Sequence, residues 1–185
     1  VNALAGLGTL FVTRALAWRL FRSDAVANLS VVLLVLGTFW SEYVIGHWPH
    51  SVTIFTTTTA LWLFLVALDR ERRVWLPAAL SGLAVGVGLV FRLESVLVLP
   101  GIAAATILYA ARPVQTLLAG GLGIAPMLAV LAATNQVKFG TWNPLSYGGS
   151  GGATDLTRHM MAGVAMLAGL GLLLLLRWAG NRSVD

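Results

Sequence analysis

The sequence VWLPAALSGLAVGVGLVF, residues Val74–Phe91, is an uninterrupted run of 18 residues without a charge. As a helix rising 1.5 Å per residue it is about 27 Å long, close to the roughly 30 Å hydrocarbon core of a bilayer. Charged clusters bound the run on both sides, DRERR at 69–73 and RLE at 92–94. Pro77 lies in the first turn, where a missing N–H costs little. The run is therefore typical of a transmembrane helix.

The composition of the whole chain indicates the same class. Of the 185 residues, 58% are hydrophobic and 10% are charged, and the mean hydropathy is +0.85. Soluble domains carry about 25% charged residues, so this chain has too little polar surface for a water-soluble body of its size. It has no cysteine, which excludes disulfides, thiolate metal sites and cysteine nucleophiles.

Polar or charged breaks divide the chain into apolar segments, and we predict an all-α, polytopic transmembrane bundle of about six or seven helices in a single domain, 1–185. Residues 134–159 are predicted to form an extracytoplasmic loop. Pro126 predicts a kink in the sixth helix. The predicted helices are Ala3–Trp18, Ala25–Ile45, Val52–Leu68, Val74–Phe91, Ser95–Ala111, Val114–Ala133 and Met160–Leu176.

The first apolar run is shorter than the others. It ends before Arg14 and, as a helix, is only about 18 Å long, which is less than the thickness of a bilayer. We therefore expect the chain to begin inside a transmembrane helix and to be a fragment of a larger bundle.

The distribution of cations orients the predicted helices. Alternating sides place nine of the twelve Lys and Arg residues at one face, and leave Arg92, Lys138 and Arg158 at the other. Cytoplasmic loops are the ones enriched in Lys and Arg, so the nine-cation face is predicted to be cytoplasmic, in a bacterial inner membrane. The cations form short clusters between apolar runs, and no nucleic-acid partner is expected. The nine are Arg14, Arg19, Arg22, Arg70, Arg72, Arg73, Arg112, Arg177 and Arg182.

Glycines recur in two of the predicted helices, at Gly82 and Gly86 and again at Gly120, Gly121 and Gly123. Small residues at such spacing let helix backbones approach closely in membranes. The pattern favours packing inside the protein over a dimer interface.

Polar side chains are concentrated at residues 40–50, WSEYVIGHWPH, on the predicted outer side of the membrane. Glu42, His47 and His50 are candidate substrate-binding residues in this stretch. His50 begins the third predicted helix, and a helix N-terminus favours an anion. A polar residue at a helix end is inexpensive, and Trp and Tyr are common at membrane boundaries, so a purely structural role for Glu42 stays open.

Two further outer segments carry candidate substrate-binding residues. Arg92 and Glu94 lie in a short connection, where they either form a polar site between helices or pair with each other. Lys138 and Tyr147 lie in the predicted outer loop, and Lys138 suits a phosphate or an anionic lipid headgroup.

No metal site and no cofactor are expected. Asp155 and His159 are four residues apart, but two ligands do not make a site. The sequence contains no P-loop, no Gly-x-Ser-x-Gly and no HExxH motif.

Three stretches of the chain resemble the GT-C type integral membrane glycosyltransferases, in particular bacterial members related to protein O-mannosyltransferases and lipid A aminoarabinose transferases. In GTFWSEYVIGHWPH at 37–50, a Gly-Thr and an aromatic pair lead to His50. SGLAVG at 81–86 with FRLESVL at 91–97 is similar to the family's gly-leu-ala-x-gly and arg-x-glu-x-leu-leu hairpin. NQVKFGTWNPLSY at 135–147 is similar to its asn-x-x-x-phe-gly-x-pro-leu loop.

The resemblance implies transfer of a sugar from a polyprenyl-phosphate carrier to an acceptor on the extracytoplasmic face. The partners are then the polyprenyl-phosphate sugar lipid and membrane lipids. His50, Arg92 and Lys138 are expected to contact phosphate, and Glu42 or Glu94 to orient sugar or acceptor hydroxyls.

The family's catalytic carboxylate lies in an earlier external loop, so it is expected upstream of Val1. Two other classes of protein remain open at this point. One is a fragment of a membrane transporter, which the absence of an ionisable residue in mid-membrane disfavours. The other is a non-enzymatic membrane scaffold subunit.

Overall fold

The computed structural model describes residues 1–46, 48–69, 73–146 and 156–182. Over these ranges the protein consists of eight α-helices and one 3-10 helix, with no strand. The 3-10 helix, Leu93–Leu97, lies between the fifth and sixth α-helices. The α-helices are α1 Asn2–Phe21, α2 Asp24–Gly37, α3 Trp40–Ile45, α4 His50–Leu68, α5 Trp75–Phe91, α6 Val98–Tyr109, α7 Pro113–Phe139 and α8 Leu156–Arg182.

Within the described residues, three helices are long and apolar enough to cross a membrane: α1, α4 and α7, with mean hydropathies of 1.2, 1.8 and 2.0 over their most apolar windows. The all-α prediction is confirmed for the described ranges. The apolar helices α2, α5 and α6 have 14, 17 and 12 residues and are shorter than these three. A total of six or seven membrane-spanning helices stays a prediction.

The second predicted helix, Ala25–Ile45, is divided in the structure into α2 and α3. Thr38 causes the break, because its backbone is extended (φ −136°, ψ 171°) and its hydroxyl serves both helix ends. The hydroxyl donates to the Leu34 carbonyl at 2.6 Å and accepts from the Trp40 N–H at 3.1 Å. A short polar side chain thus competes with the helical backbone for hydrogen bonds.

The predicted outer loop 134–159 is shorter in the structure at both ends. Helix α7 continues through Pro126 and past residue 134 to Phe139, and α8 already begins at Leu156. Polar residues 134 and 135 do not end α7, because the Thr134 hydroxyl donates within the helix, to the Val130 carbonyl at 2.8 Å. The helix ends where Gly140 adopts a left-handed conformation, φ 68°.

Helix α5 forms the centre of the bundle, packed between α4 and α7. Helix α4 packs in turn on α1, which also contacts α2, while α6 contacts α4, α7 and α8. Ala60 of α4 and Val85 and Leu89 of α5 form a fully buried cluster. The Ser81 hydroxyl donates across this interface to the Ala60 carbonyl at 2.8 Å, so this buried polar group is satisfied.

The glycines of α5 and α7 lie in the interface between these two helices. A Cβ built on Gly82 would lie 2.0 Å from the Gly120 carbonyl oxygen, and one on Gly123 would lie 1.9 Å from the Ala79 carbonyl oxygen. A Cβ at Gly121, by contrast, has no neighbour within 4 Å. Glycines 82, 120 and 123 therefore serve close packing inside the chain, as predicted.

Polar contacts mark two opposite ends of the bundle. At one end the Arg19 guanidinium lies 2.7 Å from the Asp69 carboxylate and joins the C-terminal ends of α1 and α4. Arg14, Arg22, Arg73, Arg112 and Arg177 also lie towards this end, and we call it the basic end. At the other end the Asn2 amide donates to the Gly46 and Trp48 carbonyls at 2.7 and 3.1 Å, which ties the start of α1 to the α3–α4 connection.

Candidate functional site

Three of the predicted site residues meet at the end of the bundle opposite the basic end. His50 begins α4, Arg92 follows α5, and Glu94 lies in the 3-10 helix. The Arg92 guanidinium is at the centre: its Nη1 donates to His50 Nε2, while its Nε and Nη2 donate to the two Glu94 carboxylate oxygens at 3.1 and 2.9 Å. The two alternatives for Arg92 and Glu94 are thus compatible, since they pair with each other inside a wider polar cluster.

The chain geometry after α5 produces the ion pair. Arg92 has an extended backbone (φ −152°, ψ 125°) and ends the helix. The chain then turns tightly, with the Ser95 N–H donating to the Arg92 carbonyl at 3.1 Å. This turn brings the Glu94 carboxylate back onto the guanidinium in a two-bonded, fork-like arrangement, the strongest geometry for such a pair.

The imidazole of His50 is fixed by aromatic neighbours. Its ring stacks on Tyr43 of α3, with centroids 4.4 Å apart and planes 5° apart, and lies edge-on to Trp48 at 6.1 Å. The Ser51 hydroxyl donates to the Tyr43 carbonyl and holds α3 against α4. Arginine only donates hydrogen bonds, so Nε2 of His50 is the acceptor and its ring proton lies on Nδ1.

The charge state of Glu94 limits its chemistry. Hydrogen bonds from the Arg92 side chain, with a smaller backbone contribution, lower the pKa of the Glu94 carboxyl to about 2. A carboxylate with so low a pKa is a poor general base near neutral pH. Glu94 is therefore suited to orienting Arg92 or a ligand hydroxyl, and unsuited to removing a proton.

An open cleft of about 490 Å³ lies over this cluster. His50, Arg92 and Glu94 form its polar wall, and Trp48, Pro49 and Phe91 form the rest. Trp48 is largely accessible, with 65% of its surface exposed. A cation beside aromatic, lipid-compatible surface suits an anionic group attached to an apolar body.

The other predicted site residues are not part of this cluster. Glu42 on α3 and Lys138 near the end of α7 are both exposed, and the side chain of neither forms an ion pair within the described part of the chain. His47 and Tyr147 lie outside the described residues, as does Asp155.

Two residues of the site were not predicted from the sequence. Tyr43 positions the imidazole, but it is seven residues before His50 and separated from it by a break between helices. No periodicity in the sequence indicates that contact. Asn2 holds the α3–α4 connection. One feature of the sequence could have indicated this role, because Asn2 is a polar amide at the start of an otherwise apolar segment.

No family model matches this chain, and neither a curated protein nor a solved structure does. Over the ranges that it describes, the structure defines an all-helical protein with three candidate membrane-spanning helices. Its polar cleft, at one end of the bundle, is built around Arg92.

Proposed function

We propose that this protein is a GT-C-like membrane glycosyltransferase that moves a sugar from a polyprenyl-phosphate-linked donor to an acceptor on the extracytoplasmic face of a bacterial inner membrane. The observation that carries the proposal is the position of Arg92, held between His50 and Glu94 in the wall of an open cleft.

Departure of the donor phosphate requires stabilisation of its developing negative charge. A guanidinium matches phosphate oxygens with paired N–H donors and stays charged at every relevant pH. Glu94 fixes the orientation of Arg92 through two hydrogen bonds, so the cation is positioned before the donor arrives. Arg92 therefore binds the phosphate of the donor in this proposal.

The start of α4 supports the same role. This 19-residue helix begins at His50 and has no side-chain hydrogen bond capping its N-terminus. The partial positive charge of a helix N-terminus favours an anion placed beside it. The backbone N–H groups of the first turn of α4 thus add to the positive field of Arg92 at the cleft.

The apolar part of the cleft suits the lipid part of the donor. Trp48 and Phe91 line the cleft next to the polar wall, and the cleft adjoins the end of the candidate membrane span α4. A polyprenyl phosphate presents a charged group directly joined to a hydrocarbon chain, which matches this combination. Glu94 is too weak a base for the acceptor hydroxyl, so another carboxylate takes that step in this proposal.

The test is made on the full-length protein reconstituted in proteoliposomes, with a radiolabelled polyprenyl-phosphate sugar and a photoreactive polyprenyl phosphate. Arg92→Ala is expected to lower both sugar transfer and photolabelling by about 100-fold, as for loss of a charge-stabilising donor. Arg92→Lys keeps the charge but not the fork of paired N–H donors. Its transfer and photolabelling are expected to fall between those of the wild type and those of Arg92→Ala. Arg73→Ala, an exposed arginine beside α5 at the basic end, is the control and keeps both activities.

Undiminished transfer in Arg92→Ala and His50→Ala would remove these residues from the site. If the wild-type protein takes up a solute but transfers no sugar, the protein is a transporter and the enzyme proposal is wrong. If the wild type shows neither sugar transfer nor photolabelling, the result favours a non-enzymatic scaffold subunit.

A further inference from the structure

A second open cleft lies at the basic end, far from the site around Arg92. It has a volume of about 770 Å³ and runs between α8 and the α6–α7 connection. We call it the α8 groove. Its walls are apolar, formed mainly by Leu174 and Leu175 on one side and by Ala111 and Pro113 on the other. Arg177 and Trp178, less than one turn further along α8, complete its lining.

Arg177 brings a positive charge into this apolar surface. Its side chain is partly buried, and its Nη1 donates to the Ile107 carbonyl at 2.5 Å, which ties α8 to the end of α6. One neutral carbonyl does not balance the charge of a guanidinium, which carries five N–H donors. A cation surrounded by apolar groups is costly unless an anion joins it.

The described carboxylates at the basic end form ion pairs with arginines other than Arg177. Within the described ranges, Asp24 pairs with Arg14 and Asp69 pairs with Arg19. These pairs lie between α1, α2 and α4, away from the residues that line the α8 groove. The partner of the Arg177 charge is therefore to be sought outside the described chain.

The start of α7 adds to the positive potential of the α8 groove. Pro113 is the first residue of this 27-residue helix, whose N-terminus has no side-chain capping hydrogen bond. Arg112 precedes it, and the contact of its side chain is with the neutral amide oxygen of Gln115 at 3.4 Å. The helix N-terminus and Arg177 thus face one apolar groove, and Arg112 lies in sequence between two of its lining residues, Ala111 and Pro113.

We propose that the α8 groove binds one anionic phospholipid, with its phosphate at Arg177 and an acyl chain along Leu174 and Leu175. Charge complementarity selects an anionic headgroup, and the apolar walls select a lipid over a free anion. Trp178 is 56% exposed at the same level, a position that tryptophan commonly takes beside lipid headgroups. Basic pockets between membrane helices are suited to such headgroups.

The charge requirement is tested with the full chain in nanodiscs of phosphatidylcholine, with and without phosphatidylglycerol. Phosphatidylglycerol is expected to raise the Tm of the wild type, and native mass spectrometry is expected to show one retained molecule. Arg177→Gln is expected to weaken that binding by about tenfold or more, because it removes a charged hydrogen-bond donor. Arg22→Gln is the control, since Arg22 lies at the same end but over the Trp18 ring, 5.0 Å from its centroid.

The shape requirement is tested without altering any charge. Gly171 lines the α8 groove and a Cβ there has no neighbour within 4 Å, so Gly171→Leu places a side chain in the groove space. Gly169 of the same helix is equally open but does not line the groove, so Gly169→Leu is the matched control. Gly171→Leu is expected to lose the retained lipid, and Gly169→Leu to keep it.

Two results would overturn the proposal. If Arg22→Gln weakens binding as much as Arg177→Gln, the attraction belongs to the whole basic end and no site exists. If inorganic phosphate alone raises the Tm as much as phosphatidylglycerol, and Gly171→Leu leaves that rise unchanged, the groove binds a free anion. These readouts do not depend on sugar transfer, so the proposal stands or falls separately from the one for the Arg92 site.

Discussion

The backbones of Gly82 and Gly120 lie so close that a Cβ on residue 82 would stand 2.0 Å from the carbonyl oxygen of residue 120. The obstructing atom belongs to the backbone of α7, so no side chain can turn aside to make room. The distance between α5 and α7, and with it the position of Arg92 at the end of α5, depends on the absence of a side chain at this contact.

Gly82→Ala is therefore expected to destabilise the protein by about 2 kcal/mol or more, within the range for an overpacked interface. The measurement is unfolding in mixed detergent micelles, followed by circular dichroism. Gly121→Ala is the matched control, because its Cβ enters open space on the same stretch of α7. Equal stability losses in the two variants would show that α5 and α7 are further apart than the structure has them.

The amide of Asn2 holds the loop next to the candidate site, through the carbonyls of Gly46 and Trp48. Asn2→Ala leaves both carbonyls without this partner, at a cost of about 1–3 kcal/mol for each one that stays buried. We expect faster hydrogen exchange at the Gly46 amide, which donates to the Glu42 carbonyl at 2.8 Å.

The control for this prediction is Asn28→Ala, which removes an amide that accepts from Arg14 near the basic end. It is expected to leave the exchange rate of the Gly46 amide unchanged. The same acceleration in both variants would point to a general loss of stability and contradict a local role for Asn2.

The ion pair of Arg92 and Glu94 makes a prediction about pH. The folded-state pKa of Glu94 is about 2, below its ordinary value of 4.5. A lowered pKa stabilises the folded state at pH values above 4.5, and this contribution is lost as the pH falls from 4.5 towards 2. The pair is therefore intact at neutral pH and insensitive to pH between 5 and 8.

Carboxyl ¹³C NMR of a selectively labelled sample measures this pKa directly. In Arg92→Gln the pKa of Glu94 is expected to rise towards 4.5, because the charged donor is gone. A Glu94 pKa near 4.5 in the wild type would show that the pair does not form in solution.

The sequence predicted the class of the fold and the side of the molecule on which the polar residues lie, because both depend on composition and periodicity. It placed His50, Arg92 and Glu94 on one side, and the structure brings these three together. It missed the break at Thr38, since a threonine hydroxyl that serves two helix ends leaves no trace in an apolar pattern.

The extent of α7 was missed for a related reason. Asn135 is polar, yet it lies within the helix, because its amide donates to the Asn143 and Ser146 carbonyls at 2.8 and 3.1 Å in the segment that follows. A contact between a helix and the chain beyond it is a tertiary feature. Composition therefore indicated a loop from residue 134, whereas the helix extends to Phe139.

The stacking of Tyr43 on His50 leads to the last prediction. The rings are nearly parallel, and the contact is made by the face of the phenol, so the hydroxyl is not required for it. Tyr43→Phe is expected to keep the imidazole in place. Tyr43→Leu loses the stack, which is worth about 0.5–1.5 kcal/mol, or roughly a two- to tenfold change in an equilibrium constant.

The measurement is photolabelling by a polyprenyl phosphate at several concentrations, together with the ring chemical shifts of His50. Tyr43→Leu is expected to raise the half-saturating concentration by that factor and to shift the imidazole resonances, while Tyr43→Phe matches the wild type in both. If Tyr43→Leu shifts the resonances but binds the probe normally, the imidazole is a structural neighbour of Arg92. If both variants weaken binding equally, the phenol hydroxyl acts on the ligand, and the role of Tyr43 extends from positioning His50 to contact with the donor.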